Sequence, residues 1–251
     1  MVETYVHFWW QLLLVAIGSA LLGSINFSVL FSRLFKKDDV RNYGSGNPGT
    51  TNMFRVFGLP LGLLTFVADS LKGVCACLVS KAIFIGAGLP AEAARAAEFV
   101  AGLFAVVGHV FPVYYNFRGG KGVATSIGVM FCVDPILMLC SLPVMIAVIL
   151  VIDRMSVMSM LFAVFDIVWA WCVFLPIEGV LSCVCLTLMF AIVLFAHRHN
   201  FVRLVKGHEL PTGVRRALRG KAKTEYGNSQ CNCSADVRKN VQNDTQIDEK
   251  N

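Results

Sequence analysis

The chain has 251 residues, of which 56% are hydrophobic and only 15% charged, and its mean hydropathy is +0.66. Those values lie far outside the range of soluble globular domains and exclude that class. The formal charge of +6 traces to a C-terminal basic run, Arg215, Arg216, Arg219, Lys221 and Lys223. No aromatic or groove-reading element accompanies that run, so it reads as a contact with anionic lipid headgroups and not with nucleic acid.

The apolar residues come in blocks near the roughly 20 residues that cross a bilayer. A first span runs from about Tyr5 to Leu34, with Trp9 and Trp10 placed as interface anchors. It is long and lacks a basic start, unlike a cleavable signal. A second runs from Leu59 to about Phe84 and contains Asp69 and Lys72; a third covers Ala96 to Tyr114. Val123 to Val133 is short, a half-length or tilted helix that Asp134-Pro135 ends. Ile136 to Ile152, Val157 to Leu175 and Val180 to Ala196 follow, separated by Asp153-Arg154 and Pro176. The expected fold is all-α and membrane-integral, with about seven transmembrane helices, or six if the short one is re-entrant.

Basic residues alternate between loops. Arg33, Lys36, Lys37, Arg41 and Arg55 follow the first span, Arg118 and Lys121 the third, Arg154 the fifth, and Arg198, Arg203 and Lys206 the last. Loops after even-numbered spans hold little besides Lys81 and Arg95. The positive-inside rule then puts the N-terminus outside and the C-terminus in the cytoplasm. Residues 1–210 read as one membrane domain and residues 211–251 as a basic juxtamembrane segment with a polar, disordered tail. Lys81 to Glu98 reads as a long external loop, and Glu3, Glu92, Glu98 and Glu178 as lone external residues. Asp69 and Lys72 share a helical face near mid-span and are expected to pair.

Nine cysteines give no framework. Seven fall in apolar spans, where cysteine acts as a small hydrophobe, and Cys231 and Cys233 have no histidine at zinc-finger spacing. No metal and no cofactor are expected.

Three polar clusters interrupt the apolar pattern, all on the side assigned to the cytoplasm. In Gly44-Ser45-Gly46-Asn47-Pro48-Gly49-Thr50-Thr51-Asn52, with Arg55 beyond, glycines let backbone N–H groups converge on an anion while the side chains add donors. In Arg118-Gly119-Gly120-Lys121-Gly122 a loop opens a helix at Val123, where free N–H groups and a lysine suit phosphate. It is not a Walker A sequence, because Gly122 stands where the hydroxyl belongs. In His197-Arg198-His199-Asn200, followed by Arg203, the residues His197, Asn200 and Arg203 share a helical face.

These clusters resemble the bacterial membrane family of acyl-phosphate-dependent glycerol-3-phosphate acyltransferases. The resemblance runs through Gly44 to Asn52, Gly108-His109-Val110-Phe111-Pro112 with Gly119 to Thr125, and His197 to Asn200 with Arg203-Leu204 and Gly207-His208-Glu209. Asp69, Lys72-Gly73, Ser156 and Ser159 also fit family positions. Thr50 departs from the usual alanine, and Pro48 removes one N–H from the loop.

The resemblance implies transfer of a fatty acyl group from acyl phosphate to the 1-hydroxyl of sn-glycerol 3-phosphate, giving lysophosphatidic acid and phosphate. It implies Lys121, Arg55, His197, Asn200 and Ser45 as catalytic residues. It implies Gly46, Asn47, Gly49, Thr50, Thr51, Asn52, Gly119, Gly120, Gly122, Ser156 and Arg203 as binders of substrate phosphate. An acyl phosphate is already activated, so no covalent enzyme intermediate is required. The base is either His197 or a substrate phosphate oxygen. The only partners implied are the two substrates and membrane lipids, with no obligate protein partner, in the bacterial inner membrane. No histidine has an aspartate five positions on, which excludes the thioester-using acyltransferase signature. No spaced aspartate array suggests a CDP-alcohol phosphotransferase. A small anion transporter is the alternative of a different class, weakened by the one-sided clustering of the polar motifs and the lack of an inverted repeat.

Overall fold

The computed structural model describes residues 8–212 and residue 214. The basic run Arg215 to Lys223, the tail with its two cysteines, Glu3 and the expected span start at Tyr5 lie outside the described residues.

In a lipid phase each segment must satisfy its own backbone groups, and the described residues contain helices and no strands. In chain order these are α1 (Trp9–Gly23), α2 (Phe27–Lys36), α3 (Thr50–Phe57), α4 (Leu59–Gly86), α5 (Ala91–Val110), α6 (Val123–Val133), α7 (Pro135–Ile152), α8 (Met155–Trp169), α9 (Leu175–Ala196) and α10 (Arg198–Val205). Five stretches are long and apolar enough to cross a membrane: Trp9–Lys36, Leu59–Gly86, Ala91–Tyr115, Pro135–Ile152 and Met155–Ala196. The chain is a multi-pass membrane protein.

Several boundaries differ from the sequence expectation. The block from Tyr5 to Leu34 is not one helix, because the chain breaks after Gly23 and restarts at Phe27. Asn26 caps the new helix, its Oδ1 accepting from Val29 N at 3.1 Å and from the Ser28 hydroxyl at 2.6 Å. The expected external loop from Lys81 to Glu98 shrinks to a turn at residues 87–90, because α4 and α5 both extend into it. The reversal expected at Pro176 falls instead at Gly179, whose φ of 77° suits glycine, after a short π-helical turn over Ala170–Phe174. That reversal makes Met155–Ala196 a hairpin. Phe162 and Phe190 would stand about 42 Å apart on one straight helix, yet their rings meet edge-on at 5.4 Å.

Helix α5 is the hub, packing on α1, α4 and α9, while α4 also packs on α6. Small residues set the close approaches. A Cβ on Gly23 would run into the Ala105 carbonyl, and one on Gly108 into the Ala20 carbonyl. Gly73 and Gly128 do the same for α4 against α6. Such contacts let backbones approach where burial from water is not available as a driving force.

Glu98 and Glu178 are not lone external residues. At the end of the bundle where α5 and α9 begin, Arg95 binds Glu178 at 2.9 and 3.1 Å, Glu98 at 2.9 Å and the Val133 carbonyl at 2.7 Å. Glu98 is 1% exposed. A buried carboxylate needs such a partner; Arg95 lies three residues before Glu98 on the same helix, while Glu178 reaches it only through the fold.

The packing yields a paired prediction. Gly108→Ala should lower the melting temperature of the purified protein clearly, a cost on the order of 1–3 kcal/mol for overpacking. Gly18→Ala, where a Cβ meets nothing within 4 Å, should leave it unchanged or slightly raise it. Thermal unfolding in detergent compares them; equal shifts would contradict the account of the α1–α5 contact.

Candidate active site

The three polar clusters meet. Ser45, Asn47, Gly49, Thr50, Thr51, Asn52 and Arg55 from the first, Lys121 and Gly122 from the second, and His197, Asn200 and Arg203 from the third line one cavity of about 310 Å³. Ser156 and Ser159 of α8 line it too.

Each cluster is held by local chemistry. The first loop folds around Asn52, whose side chain accepts from Ser45 N at 3.0 Å and donates to Val40 O at 3.1 Å and Tyr43 O at 3.0 Å. Asn52 is 1% exposed, so its amide is committed to shaping the loop. Gly46 sits outside the cavity lining at φ 69°, closing a turn onto the Tyr43 carbonyl at 3.0 Å. Upstream, Asp39 pairs with Arg33 and Arg41 at 2.9 and 2.8 Å, and hydrogen bonds from Arg41 first hold its carboxyl far below the usual range. Gly49 then precedes α3, whose first turn, Thr50 and Thr51, faces the cavity.

The second loop is fixed from beneath. Gly119 N donates to Val110 O at 3.2 Å and Gly120 N to His109 O at 3.1 Å. Neither glycine lines the cavity; a Cβ on Gly119 would strike the His109 carbonyl and one on Gly120 the His109 ring. Their contribution is close packing that delivers Lys121 and the start of α6 to the site. Two helix N-termini, of α3 and α6, thus open on one cavity, each with unpaired N–H groups and a positive dipole end.

On the third side His197 Nδ1 lies 2.8 Å from the Val193 carbonyl. That contact puts the proton on Nδ1 and leaves Nε2 as an acceptor. Burial, then the charge of Lys121, pushes the His197 pKa down to about 4, so the imidazole is neutral at pH 7. Burial likewise pushes Lys121 down to about 8, against the opposing pull of Glu209.

Sequence reasoning did not assign three of the cavity's titratable residues to the site: Glu209, Asp69 and His109. Glu209 accepts from Asn200 Nδ2 at 2.6 Å and from Arg203 Nε at 3.2 Å. Burial works against its charge, but the hydrogen bonds of Asn200, Ser156 and Arg203 hold its pKa below the usual value. The segment carrying it also lines the cavity through Leu210 and is tied down where Arg55 donates to Pro211 O at 3.1 Å and Thr212 N to Asp153 O at 3.0 Å. The Thr212 hydroxyl also bonds the Asp153 carboxylate. The Gly207-His208-Glu209 cluster was the available signal. Asp69 and His109 also reach the lining, and Asp69 pairs with Lys72 at 2.9 Å, as expected.

Away from the cations the cavity turns apolar between α4, α7 and α8, past Phe66, Leu142, Met145, Ile146, Ile149 and Met158. Leu139 and Val144 of the same helix α7 are exposed at 62%. One end suits phosphate and the other suits an alkyl chain.

Residues 13–207 match the family model described as glycerol-3-phosphate acyltransferase. The chain belongs to that family. It is 34% identical over 202 residues to the glycerol-3-phosphate acyltransferase of Finegoldia magna, covering 80% of this chain and 96% of the relative. It is 35% identical over 203 residues to that of Thiobacillus denitrificans, covering 81% and 98%. Among solved structures it resembles PlsY (YgiH), described as an integral membrane glycerol 3-phosphate acyltransferase. The glycerol 3-phosphate form matches with a TM-score of 0.72 at 33% identity over 82% of this chain and 98% of that one. The lysophosphatidic acid form matches with a TM-score of 0.68 at 32% identity over 80% and 94%. The chain is therefore an acyltransferase of glycerol 3-phosphate.

The two titrations give a pH signature. Lys121 loses its charge above about pH 8 in the empty site, so kcat/KM should fall through an alkaline limb near there, and Lys121→Arg should move that limb upward. His197 is already neutral well below pH 7, so His197→Gln should lower the rate without changing the profile's shape between about pH 5.5 and 7.5. Initial rates across pH check both; a limb near neutral pH that vanishes in His197→Gln would contradict the assignment.

Proposed function

We propose that the protein transfers a fatty acyl group from acyl phosphate to the 1-hydroxyl of sn-glycerol 3-phosphate, giving lysophosphatidic acid and inorganic phosphate with no covalent enzyme intermediate. One observation carries the reading: two helix N-termini, Lys121, Arg55 and Arg203 converge on a cavity that continues into an apolar groove. That arrangement suits a long-chain donor with a phosphate head beside a second, smaller phosphate ester. The relatives' names and the two ligand forms of PlsY support the acceptor and the product.

In this reading the acyl phosphate lies with its tail along Phe66 and α7. Its phosphate meets Ser45, Asn47, Thr50, Thr51 and the N–H groups at the start of α3, with Arg55 and Lys121 neutralising charge. Glycerol 3-phosphate sits toward His197, Asn200, Arg203 and Ser156. The glycerol oxygen attacks the acyl carbon, the bond from that carbon to the phosphate oxygen breaks, and phosphate leaves. The proton of the hydroxyl goes to His197 Nε2 or to a substrate phosphate oxygen. Holding two reactants in place supplies roughly 7–11 kcal/mol of such a barrier. Lys121 and Arg55 stabilise the charge that grows on the leaving group. Ser45, Ser156 and the two threonines bind rather than attack, and among the described residues no cysteine lines the cavity.

We infer seven crossings, with the short α6 counted, an N-terminus outside and a site at the cytoplasmic face of the bacterial inner membrane. The basic residues gathered at that end support this orientation.

Purified protein given palmitoyl phosphate and glycerol 3-phosphate should release phosphate only when both are present, and palmitoyl-CoA should not replace the donor. Lys121→Ala should lower kcat/KM by about 10²-fold or more, the scale for loss of one charge-stabilising group. Use of palmitoyl-CoA at an equal rate would overturn the donor assignment. Release without the acceptor would point to a hydrolase.

A further inference from the structure

Lys72 lies in the middle of α4, 3% exposed, and does not line the cavity. Its ammonium is held from three directions, by two hydrogen bonds and one ion pair. Nζ donates to the Gly23 carbonyl at 2.9 Å and the Ile25 carbonyl at 2.8 Å, residues 49 and 47 positions away. The third direction is Asp69 Oδ1 at 2.9 Å. The two carbonyls are those exposed by the break between α1 and α2, in a stretch otherwise apolar enough to span a membrane. Backbone groups released there must find a protein partner, since lipid offers none. Lys72 is that partner, and its ammonium also stands 5.9 Å from the centre of the Phe27 ring, the first residue of α2.

Two chains of contacts leave this point and end at the two phosphate loops. From Ile25 the next residue is Asn26, which caps α2 and donates Nδ2 to the Pro48 carbonyl at 3.2 Å, inside the first loop. From Asp69 the next contact is His109 Nδ1 at 3.5 Å. His109 then receives Gly120 N on its carbonyl at 3.1 Å, immediately before Lys121. Ser24, also in the break, accepts from Val113 N at 3.2 Å, tying the chain just before the second loop to the same point.

We propose that Lys72 is a positioning residue that sets the two phosphate loops against each other, by capping the broken helix on one side and holding the Asp69–His109 pair on the other. An ion pair that merely neutralised an intramembrane charge would need neither carbonyl. The inference rests on the acyltransferase reading for its kinetic arm only. Its structural arm stands without it.

The test compares Lys72→Met with the charge-neutral double variant Asp69→Asn/Lys72→Met, which leaves no lone buried charge but removes the caps. In the double variant, purified and folded by thermal unfolding, kcat/KM should fall at least tenfold, with most of the loss in KM for both phosphate-bearing substrates. Amide exchange over residues 44–51 and 119–122 should quicken in both variants, while α9 keeps its protection. Wild-type KM and wild-type exchange in a folded double variant would overturn the proposal. A double variant that fails to fold would overturn it as well, by showing that the lysine supports the whole bundle. Wild-type protein inert toward both substrates would count against the function reading alone, and the exchange comparison would still decide the positioning role.

Discussion

In the proposed reaction two like-charged phosphates must come within bonding reach of one another at the edge of a lipid phase, and that repulsion is the constraint the site has to meet. Water cannot supply the screening inside a cavity walled by apolar helices. The chain answers with fixed donors. Two helix N-termini, from α3 and α6, face the same space as Lys121, Arg55 and Arg203. Fixed dipoles and charges hold their places without solvent reorganisation, which is the condition for stabilising the charge that grows on the leaving group in the proposed reaction. The cost is visible in Lys121, whose buried ammonium is pushed down to about 8 by the site that needs it charged. Glu209 offsets part of that cost, bonded to Asn200 and Arg203 on the opposite wall.

The same economy governs the interior. Lys72 is tied to Asp69, and Arg95 to Glu98 and Glu178, while Asp166 is buried with no hydrogen-bond partner among the described residues. The first cluster stands under the phosphate loops and the second at the far end, where α5 and α9 begin. Buried ion pairs contribute little net stability on their own, since desolvation consumes most of the attraction. Their value here is geometric, because Lys72 also reaches the Gly23 and Ile25 carbonyls and Arg95 also reaches Glu178, tying together segments distant in sequence. The close glycine contacts between α1 and α5 and between α4 and α6 work alongside them, bringing the helix backbones near enough for these short links to form.

Much of this could be read in the chain. The long apolar blocks specify membrane helices, and the motif loops stand out because glycine, serine, asparagine and threonine serve no purpose in a plain interhelical turn. Lys121, His197, Asn200 and Arg203 were legible for the same reason, and the structure brings them to one cavity. The break after Gly23 was not legible. Hydropathy runs straight through Ser24-Ile25-Asn26, and the group that makes the break tolerable is a lysine 47 residues further on. Glu98 and Glu178 looked like loop residues because their common partner, Arg95, neighbours Glu178 only after folding. Gly119 and Gly120, which the resemblance implies as phosphate binders, are not among the lining residues and pack closely against His109. Local pattern reports which groups are unusual; three-dimensional contact decides what each unusual group is for.

The central claim is that one cavity holds both phosphates at once, the donor's against the starts of α3 and α6 and the acceptor's against Asn200 and Arg203. A crystal structure of the protein with a non-transferable acyl phosphonate and glycerol 3-phosphate bound together tests it most directly. The account predicts two phosphorus positions in the one cavity, the alkyl chain along Phe66 and α7, and the glycerol 1-hydroxyl directed at the acyl carbon. Two ligands competing for a single anion position, or an acceptor bound outside the cavity, would contradict it.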